Sequence, residues 1–409
     1  MAIASAIKEA LASSSMIRKM FEEGNELKKQ HGADKVFDFS LGNPDLEPPD
    51  AFKDVFLRMA EDDAAGKTKG KHGYMPNAGY PEVREALSKK ASSDHQCDVP
   101  PDGIVMTAGA AGGLNVVFKS ILNPGDEVIV PKPYFVEYRS YIKNHGGELI
   151  EAATAQDFSL DINEIEKALS GKTAAVLINS PNNPTGKVYT GQAIASLAAL
   201  LRTHGKKTGR FPYLVADEPY REIVYDGITV PPVLSAYEES IIVTSYSKSL
   251  SLPGERIGYI AAGPEASERE DLLNALVYAN RVLGFVNAPA LMQRIVAELT
   301  DQKADVTIYD RRRKAFKKVL DNAGLRYAMP EGAFYFFVKV PEIKTGGRLI
   351  ADDVLFSSCL KKHLILGVPG SGFAGPGWIR FAYCVDEQTI HASSAAFKEA
   401  VKDWSGFSV

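Results

Sequence analysis

Seven short runs rich in Val, Ile and Leu follow one another between Gly103 and Ala262, and most are separated by stretches of helical length such as Gly191–Arg202. The runs are Gly103–Thr107, Glu127–Pro131, Glu148–Ala152, Ala174–Ser180, Tyr213–Asp217, Ile241–Ser245 and Ile257–Ala262. Continuous apolar runs that alternate with helices are typical of a mostly parallel sheet covered on both faces. The pattern therefore predicts an α/β fold with a mostly parallel seven-stranded central sheet flanked by helices.

The pattern of apolar positions changes after Pro289. Outside the central region the sequence predicts a helix over residues 13–31, a strand over Val36–Leu41, a long helical region over Leu291–Ala323, an apolar segment over Tyr327–Val340, a helix near Ala351–Lys362, and strands at Leu364–Val368 and Trp378–Tyr383. We therefore expect a large domain at residues 46–289. Residues 1–45 and 290–409 then form a smaller α+β domain.

The 409 residues carry a formal net charge of −4, so no basic field is present to hold nucleic acid or an anionic membrane. No stretch approaches the ~20 consecutive apolar residues of a membrane-spanning helix. Three lysines between Lys67 and Lys71 and the arginines Arg311–Arg313 form local clusters, and we expect both clusters to be solvated faces. The expected partners are small molecules.

Three cysteines, Cys97, Cys359 and Cys384, are odd in number and widely spaced. They predict neither a disulfide framework nor a zinc site, and no other metal site is expected. The first ten residues include Lys8 and Glu9 and lack the continuous apolar core of a secretory signal. We therefore expect a reducing, cytoplasmic location.

Candidate chemistry lies just after the predicted strands, where parallel sheets collect their ligands. Thr107–Leu114 is rich in small residues, including Gly109, Ala110 and Ala111, and opens a helix. Small residues let a phosphate approach the free N–H groups of a helix N-terminus, although such turns often serve packing alone. The spacing matches neither a Walker loop nor a dinucleotide fingerprint, so a smaller phosphate ligand is the better interpretation.

Three further strand ends carry aromatic or polar residues. Tyr134 and Phe135 offer faces for a flat heteroaromatic ligand, or simply core packing. Asn183 lies in a turn and offers an amide to a ligand oxygen. Asp217 ends an apolar strand and precedes Tyr220. A carboxylate there needs a partner such as a protonated ring nitrogen, unless it only caps a helix.

The run Ile241–Ser245 leads directly into a lysine, Lys248, that has two serines nearby and Arg256 eight residues further on. An isolated lysine is usually a surface residue. A lysine with these neighbours can instead attack an aldehyde, while Ser245, Ser247 and Arg256 neutralise a phosphate.

Together these motifs resemble the class I/II aminotransferases of pyridoxal 5′-phosphate (PLP) fold type I. The resemblance covers Gly42 to Arg380 and rests on four motifs in order: Asn182-Asn183-Pro184-Thr185-Gly186, Asp217-Glu218-Pro219-Tyr220, Ser245-x-Ser247-Lys248 and Gly254-Glu255-Arg256-Ile257-Gly258. It implies transfer of an amino group from an L-amino acid to a 2-oxo acid, with 2-oxoglutarate as the expected acceptor, in a homodimer with shared active sites.

The resemblance also implies a role for each motif residue. Lys248 forms a Schiff base with the cofactor and shuttles the substrate's proton. Asp217 pairs with the ring nitrogen, and Tyr220 and Asn183 bind the ring's 3-oxygen. The other residues implied to bind cofactor are Gly109, Ala110, Ala111, Phe135, Ser245, Ser247 and Arg256, with Tyr74 reaching the cofactor phosphate of a neighbouring subunit. Arg380 and Gly42 are similar to the residues that face the substrate's α-carboxylate.

Other functions fit parts of the same pattern. A β-eliminating C–S lyase shares the cofactor and the first chemical steps, and a ligand-sensing module or a nucleotide-binding oxidoreductase fits less of the sequence. Some aspartate-specific relatives have a lysine where this chain has Ala111 or Gly112, and Arg281 lies only roughly where the family's distal arginine lies. The amino donor therefore stays open.

Two prolines, Pro133 and Pro184, are expected to follow cis peptide bonds. Each lies beside a residue that must point at the cofactor, Phe135 or Asn183. The cis form of a peptide bond costs about 0.5–1 kcal/mol before proline, and this cost is several times higher before other residues.

Overall fold

The computed structural model describes residues 3–5, 7–8, 16–345 and 348–406, and a seven-stranded sheet lies at its centre. The strands are β2 (Ile104–Thr107), β3 (Glu127–Lys132), β4 (Glu148–Ala153), β5 (Thr173–Asn179), β6 (Tyr213–Asp217), β7 (Ser240–Ser245) and β8 (Gly258–Ala262). Their order is β2-β8-β7-β6-β5-β3-β4. Strands β3 to β7 are parallel, and β8 runs antiparallel to β2 and β7. The predicted mostly parallel sheet is confirmed.

Helices cover both faces of this sheet. They are α2 (Asp50–Ala64), α3 (Pro81–His95), α4 (Gly109–Ile121), α5 (Tyr138–Lys143), α6 (Ile162–Ala168), α7 (Gly191–Thr208), α8 (Tyr246–Ser249), α9 (Arg269–Val282) and α10 (Ala290–Ala297). Successive strand residues point to opposite faces, so Leu214 and Ala216 of β6 belong to one buried cluster and Val215 to the other. None of the described helices combines the length and apolar character needed to cross a bilayer.

The remaining elements form a smaller α+β unit. They are α1 (Met16–His31), β1 (Phe37–Asp38), α11 (Val306–Asn322), β9 (Arg326–Ala328), β10 (Tyr335–Lys339), β11 (Ile343–Thr345), β12 (Arg348–Ile350), α12 (Asp353–Lys362), β13 (Ile365–Leu366), β14 (Val368–Pro369), β15 (Trp378–Ala382), α13 (Glu387–Ala392) and α14 (Ser394–Ser405). Its antiparallel sheet has the order β14-β15-β10-β9, and β1 pairs with β13. Aromatic rings fill the core, with the Phe39 and Phe316 centroids 4.8 Å apart.

Three predicted elements differ in extent from the observed ones. The helical region Leu291–Ala323 is two helices, because the Asp305 carboxylate accepts the Thr307 N–H and starts α11 afresh. Within Val36–Leu41 only β1 is a strand, and residues 13–15 of the predicted N-terminal helix lie outside the described residues. The domain boundary at Pro289 stays a prediction. Packing of α10 residues such as Ile295 into the core of the large sheet favours a boundary nearer Asp305.

The expectation that Arg311–Arg313 form a solvated face is wrong for two of the three residues. Arg312 makes two hydrogen bonds to Asp45, of 2.6 and 2.8 Å. Arg313 makes two of 2.8 Å to Asp226, and its side chain is 2% exposed. The acidic partners lie far away in sequence, so they are invisible to a local charge pattern. The Arg313–Asp226 pair ties α11 to the chain that follows β6 of the central sheet.

The peptide bonds before Pro133 and Pro184 are cis, as predicted. A third cis bond precedes Pro181, which the sequence did not single out. All three lie in segments that follow strands of the central sheet.

Replacing Arg313 by Ala should lower the free energy of unfolding by about 2–3 kcal/mol, because it leaves the buried carbonyl of Pro330 without its donor and removes the cation over the Tyr225 ring. The matched control is Arg311→Ala, since that side chain is 63% exposed. Its effect should stay within about 0.5 kcal/mol. Equal losses in urea titrations of the two variants would contradict this account.

Candidate active site

A cavity opens at the carboxyl ends of the central strands, facing the smaller unit. It brings together most of the residues that the sequence singled out, namely Gly42, Ala110, Ala111, Phe135, Asn183, Asp217, Tyr220, Ser245, Ser247, Lys248, Arg256 and Arg380. Gly109 does not line the cavity but lies against Arg256. Tyr74 is 94% exposed on the outer surface, away from this cavity.

Lys248 reaches the cavity from the short helix α8, directly after β7. Its Nζ donates a hydrogen bond of 2.8 Å to the carbonyl oxygen of Gly42. Burial lowers the pKa of Lys248 to about 8, and the positive charges of Arg380 and Arg256 act in the same direction. A larger fraction of neutral amine is present near neutral pH, which is what a nucleophilic lysine needs.

Asp217 ends β6 at the floor of the cavity. Its Oδ2 accepts a hydrogen bond of 2.5 Å from the Tyr138 hydroxyl. Its Oδ1 is buried and has no hydrogen-bond partner among the described residues. Burial raises the pKa of Asp217 to about 7, the Tyr138 hydrogen bond opposes that rise, and Glu218 adds to it. The chain turns after Asp217 instead of entering a helix, so the residue is not a helix cap.

The floor of the cavity is held by an amide network. The Asn179 side chain donates to the Asp217 carbonyl at 2.9 Å and accepts the Asn183 N–H at 2.7 Å. This ties the turn that carries Asn183 to the end of β6. Tyr138 meets the Phe135 ring edge to face, with centroids 5.5 Å apart.

One end of the cavity suits an anion. No side chain caps the N-terminus of α4, so its first amides have no side-chain acceptor. Gly109 has a φ of 75°, and a Cβ there would lie 2.9 Å from Nη2 of Arg256, so a larger residue would displace the guanidinium. Ser245 and Ser247 lie nearby on the cavity wall. Helix amides, a guanidinium and two hydroxyls form a suitable phosphate site.

The opposite end suits a carboxylate. Arg380 lies between the rings of Tyr335 and Phe373, 4.7 Å from each centroid. It donates to the Asn183 side chain at 3.0 Å and to the Ser40 carbonyl at 2.6 Å, and its Nε has no partner among the described residues. Burial lowers the pKa of Arg380. A buried, planar guanidinium held in one orientation is well suited to bind a carboxylate.

Sequence reasoning missed several residues of the cavity wall. They are Leu114, Tyr138, Tyr141, Asn179 and Tyr335. A signal existed for Tyr138, which is an aromatic residue in the same segment after a predicted strand as Tyr134 and Phe135. Nothing local in the sequence connects Tyr335 with Tyr220. Arg281 does not line the cavity, and its guanidinium lies 5.6 Å from the Tyr278 ring centroid.

Comparisons with known proteins agree with this geometry. The family model described as aminotransferase class I and II matches residues 34–396. A probable aspartate/prephenate aminotransferase of Aquifex aeolicus is 32% identical over 383 residues, covering 90% of this chain and 91% of that protein. An aspartate/prephenate aminotransferase of Thermus thermophilus is 32% identical over 381 residues, covering 91% and 92%.

Solved structures show the same fold. An aminotransferase from Eubacterium rectale superposes with a TM-score of 0.93 at 35% identity, covering 99% of both chains. The Thermus thermophilus aspartate aminotransferase with maleate gives 0.81 at 28% identity, covering 95% and 97%.

The seven-stranded sheet flanked by helices is the α/β fold of these solved aminotransferases. The chain belongs to the class I and II aminotransferases, a PLP-dependent family. It is an aminotransferase and transfers an amino group from an amino acid to a 2-oxo acid.

The buried, half-paired carboxyl of Asp217 predicts a pH dependence of stability in the ligand-free chain. Because folding raises this pKa from about 4 to about 7, the folded state is penalised as pH rises through that window. Asp217→Asn removes the penalty. In urea titrations, the difference in the free energy of unfolding between the variant and the wild type should change in favour of the variant. The change between pH 5 and pH 8 should be about 2–3 kcal/mol. Parallel pH profiles would show that the carboxyl is not destabilised by burial.

Proposed function

We propose that this chain binds PLP in the cavity, held through a Schiff base at Lys248 Nζ, and uses 2-oxoglutarate as the amino acceptor. The observation that carries the proposal is the unpaired Oδ1 of Asp217. A buried carboxyl oxygen without a donor is costly, and the protonated ring nitrogen of PLP supplies both a donor and a positive charge. The phosphate site at α4 lies in the same cavity wall.

The other cavity residues fit the remaining groups of PLP. Tyr220 and Asn183 supply hydrogen-bond donors for the ring's 3-oxygen, and Phe135 supplies an aromatic face. The phosphate is bound by Gly109, Ala110, Ala111, Ser245, Ser247 and Arg256. When bound, PLP supplies an electron sink that stabilises negative charge at the substrate's Cα.

The chain's own residues then bind and orient the amino acid. Arg380 binds its α-carboxylate, and the Gly42 backbone faces the same group. Lys248, once released from the cofactor, takes the proton from Cα and returns it as a general base and acid. The lowered pKa of Lys248 suits this work. Asp217 keeps the proton on the ring nitrogen throughout.

The relatives' names point to aspartate as the amino donor. Among the described residues that line the cavity, the cations are Lys248, Arg256 and Arg380, and each already has an assigned partner. A screen of amino donors with 2-oxoglutarate identifies the donor directly. The products also separate transfer from elimination, because transfer yields a keto acid and glutamate, whereas elimination yields pyruvate and ammonia.

Borohydride reduction should fix a pyridoxyl group on Lys248, and peptide mapping should find it there. Lys248→Ala should bind PLP but lose turnover by several orders of magnitude, because no base remains at Cα. The control is Lys132→Ala, because Lys132 ends β3 and does not line the cavity. This variant should keep full turnover. Label on another lysine would overturn the assignment.

We also propose a homodimer in which Tyr74 enters the neighbouring subunit's site. Tyr74 is almost fully exposed, and more than half of the surface of Leu57 in α2 and of Tyr278 in α9 is exposed. The Asn280 side chain of α9 donates to the Asn77 carbonyl at 3.1 Å, which ties the Tyr74 segment to that helix. An interface formed by the Tyr74 segment and α9 would cover these exposed apolar side chains.

Mixed dimers test the shared site. A Tyr74→Ala chain paired with a Lys248→Ala chain rebuilds one native site, because Lys248 and Tyr74 then come from different chains, so partial activity should return. Pairing Lys248→Ala with Arg380→Ala should restore nothing, since both residues belong to one subunit. Recovery in both mixtures, or in neither, would contradict the proposal, as would a fully active monomer in sedimentation.

A cytoplasmic location is consistent with the cysteines. Cys359 and Cys384 are buried and unpaired, and Cys97 is unpaired and partly exposed. Free thiols of this kind are typical of reducing compartments.

A further inference from the structure

Two tyrosine hydroxyls meet inside the cavity. The oxygens of Tyr220 and Tyr335 lie 2.6 Å apart, and both side chains are buried. Tyr220 follows β6 of the central sheet, whereas Tyr335 begins β10 of the smaller unit. The contact therefore joins the two parts of the chain at the place where cofactor and substrate are proposed to meet.

Tyr335 also contacts two other functional groups. Its hydroxyl lies so close to the Cα of Gly42 that a Cβ at residue 42 would overlap it. The carbonyl of that glycine accepts the hydrogen bond from Lys248 Nζ. The ring of Tyr335 lies 4.7 Å from the guanidinium carbon of Arg380. Hydroxyl and ring thus face different groups, and substitutions can separate their contributions.

The direction of the hydroxyl pair follows from the proposed function, on which this inference rests. Each hydroxyl has one proton to donate. If Tyr220 donates its proton to the ring's 3-oxygen, the proton between the two tyrosines must come from Tyr335. A hydroxyl that accepts a hydrogen bond becomes a stronger donor.

We propose that Tyr335 is a positioning residue that donates to Tyr220 and thereby strengthens the hydrogen bond from Tyr220 to the ring's 3-oxygen. With PLP bound, that oxygen would also accept a hydrogen bond from the protonated Lys248 Nζ. An oxygen that already accepts a strong hydrogen bond from Tyr220 is a weaker acceptor for the hydrogen bond from Lys248 Nζ. Tyr335 therefore lowers the pH at which Lys248 Nζ loses its proton.

The charged and titratable groups that face this pair are few among the described residues. Arg380 and Cys384 influence both tyrosines, and Lys248 Nζ lies 5.9 Å from the Tyr220 ring centroid. Burial raises the pKa of Tyr335 to about 12 and that of Tyr220 well above its ordinary value. Both hydroxyls thus keep their protons at working pH.

The test is a pH titration of the visible absorbance of the PLP-loaded enzyme. Tyr335→Phe keeps the ring over Arg380 and removes only the hydroxyl. The absorbance midpoint should move up by about 0.3–1 pH unit, with KM for the amino donor nearly unchanged. Tyr335→Leu removes the ring as well and should raise KM about 2–30-fold, the range expected for losing a cation–π contact.

Tyr383→Phe is the matched control. Its hydroxyl oxygen lies 3.1 Å from the Tyr225 hydroxyl and 3.1 Å from the Ala333 carbonyl oxygen, in a buried tyrosine pair that does not line the cavity. This substitution should leave the midpoint unchanged. An absent or downward shift in Tyr335→Phe, or an equal shift in both variants, would overturn the proposal.

A double substitution tests whether Tyr335 acts through Tyr220. Tyr220→Phe alone should shift the midpoint further than Tyr335→Phe. The pair together should shift it no further than Tyr220→Phe alone, whereas additive shifts would show that Tyr335 acts independently and would overturn the proposal. A wild-type enzyme without a visible cofactor band would instead refute the proposed function, and this inference with it.

Discussion

The unpaired oxygen of Asp217 is the constraint on which the rest of the site depends. Burying a carboxyl group costs free energy unless a donor or a positive charge compensates it. Tyr138 satisfies one oxygen and fixes the plane of the carboxyl group, and Oδ1 is left for a ligand. The parallel sheet places this carboxyl at its carboxyl edge, in the same cavity as Lys248 and the N-terminus of α4. The geometry thus fits a flat ligand with a cationic nitrogen, an aldehyde and a phosphate.

The second requirement is that two parts of the chain close around one cavity. The groups that are proposed to bind the cofactor come from the central sheet, while Gly42, Tyr335 and Arg380 come from the smaller unit. Lys248 already bonds to the Gly42 carbonyl, and Arg380 bonds to Asn183, so the two parts contact each other through the functional groups themselves. The ion pair between Arg313 and Asp226 holds the same two parts together at a distance from the cavity.

Residues whose function depends on local pattern were predictable from the sequence. The apolar runs predicted the strands, and Ser-x-Ser-Lys after a strand predicted the lysine that the structure places in the cavity. Residues whose role depends on a distant partner were not. Tyr138 reaches Asp217, which lies 79 positions away, only because the sheet order places β3 beside β5 and β5 beside β6. The buried pairing of Arg312 and Arg313 has the same cause, since a local charge cluster looks solvated until its acidic partners are known.

The most direct test of the central claim is a comparison of PLP with an analogue that has carbon in place of the ring nitrogen. Absorbance titrations of the cofactor-free enzyme give the affinity of each compound for the wild type and for Asp217→Ala. If Asp217 pairs with the ring nitrogen, the wild type should prefer PLP by about tenfold or more, equivalent to about 1.4 kcal/mol. Asp217→Ala should lose most of that preference. Equal preference in the two proteins would show that the Asp217 carboxyl does not contact the ring nitrogen, and would contradict the account.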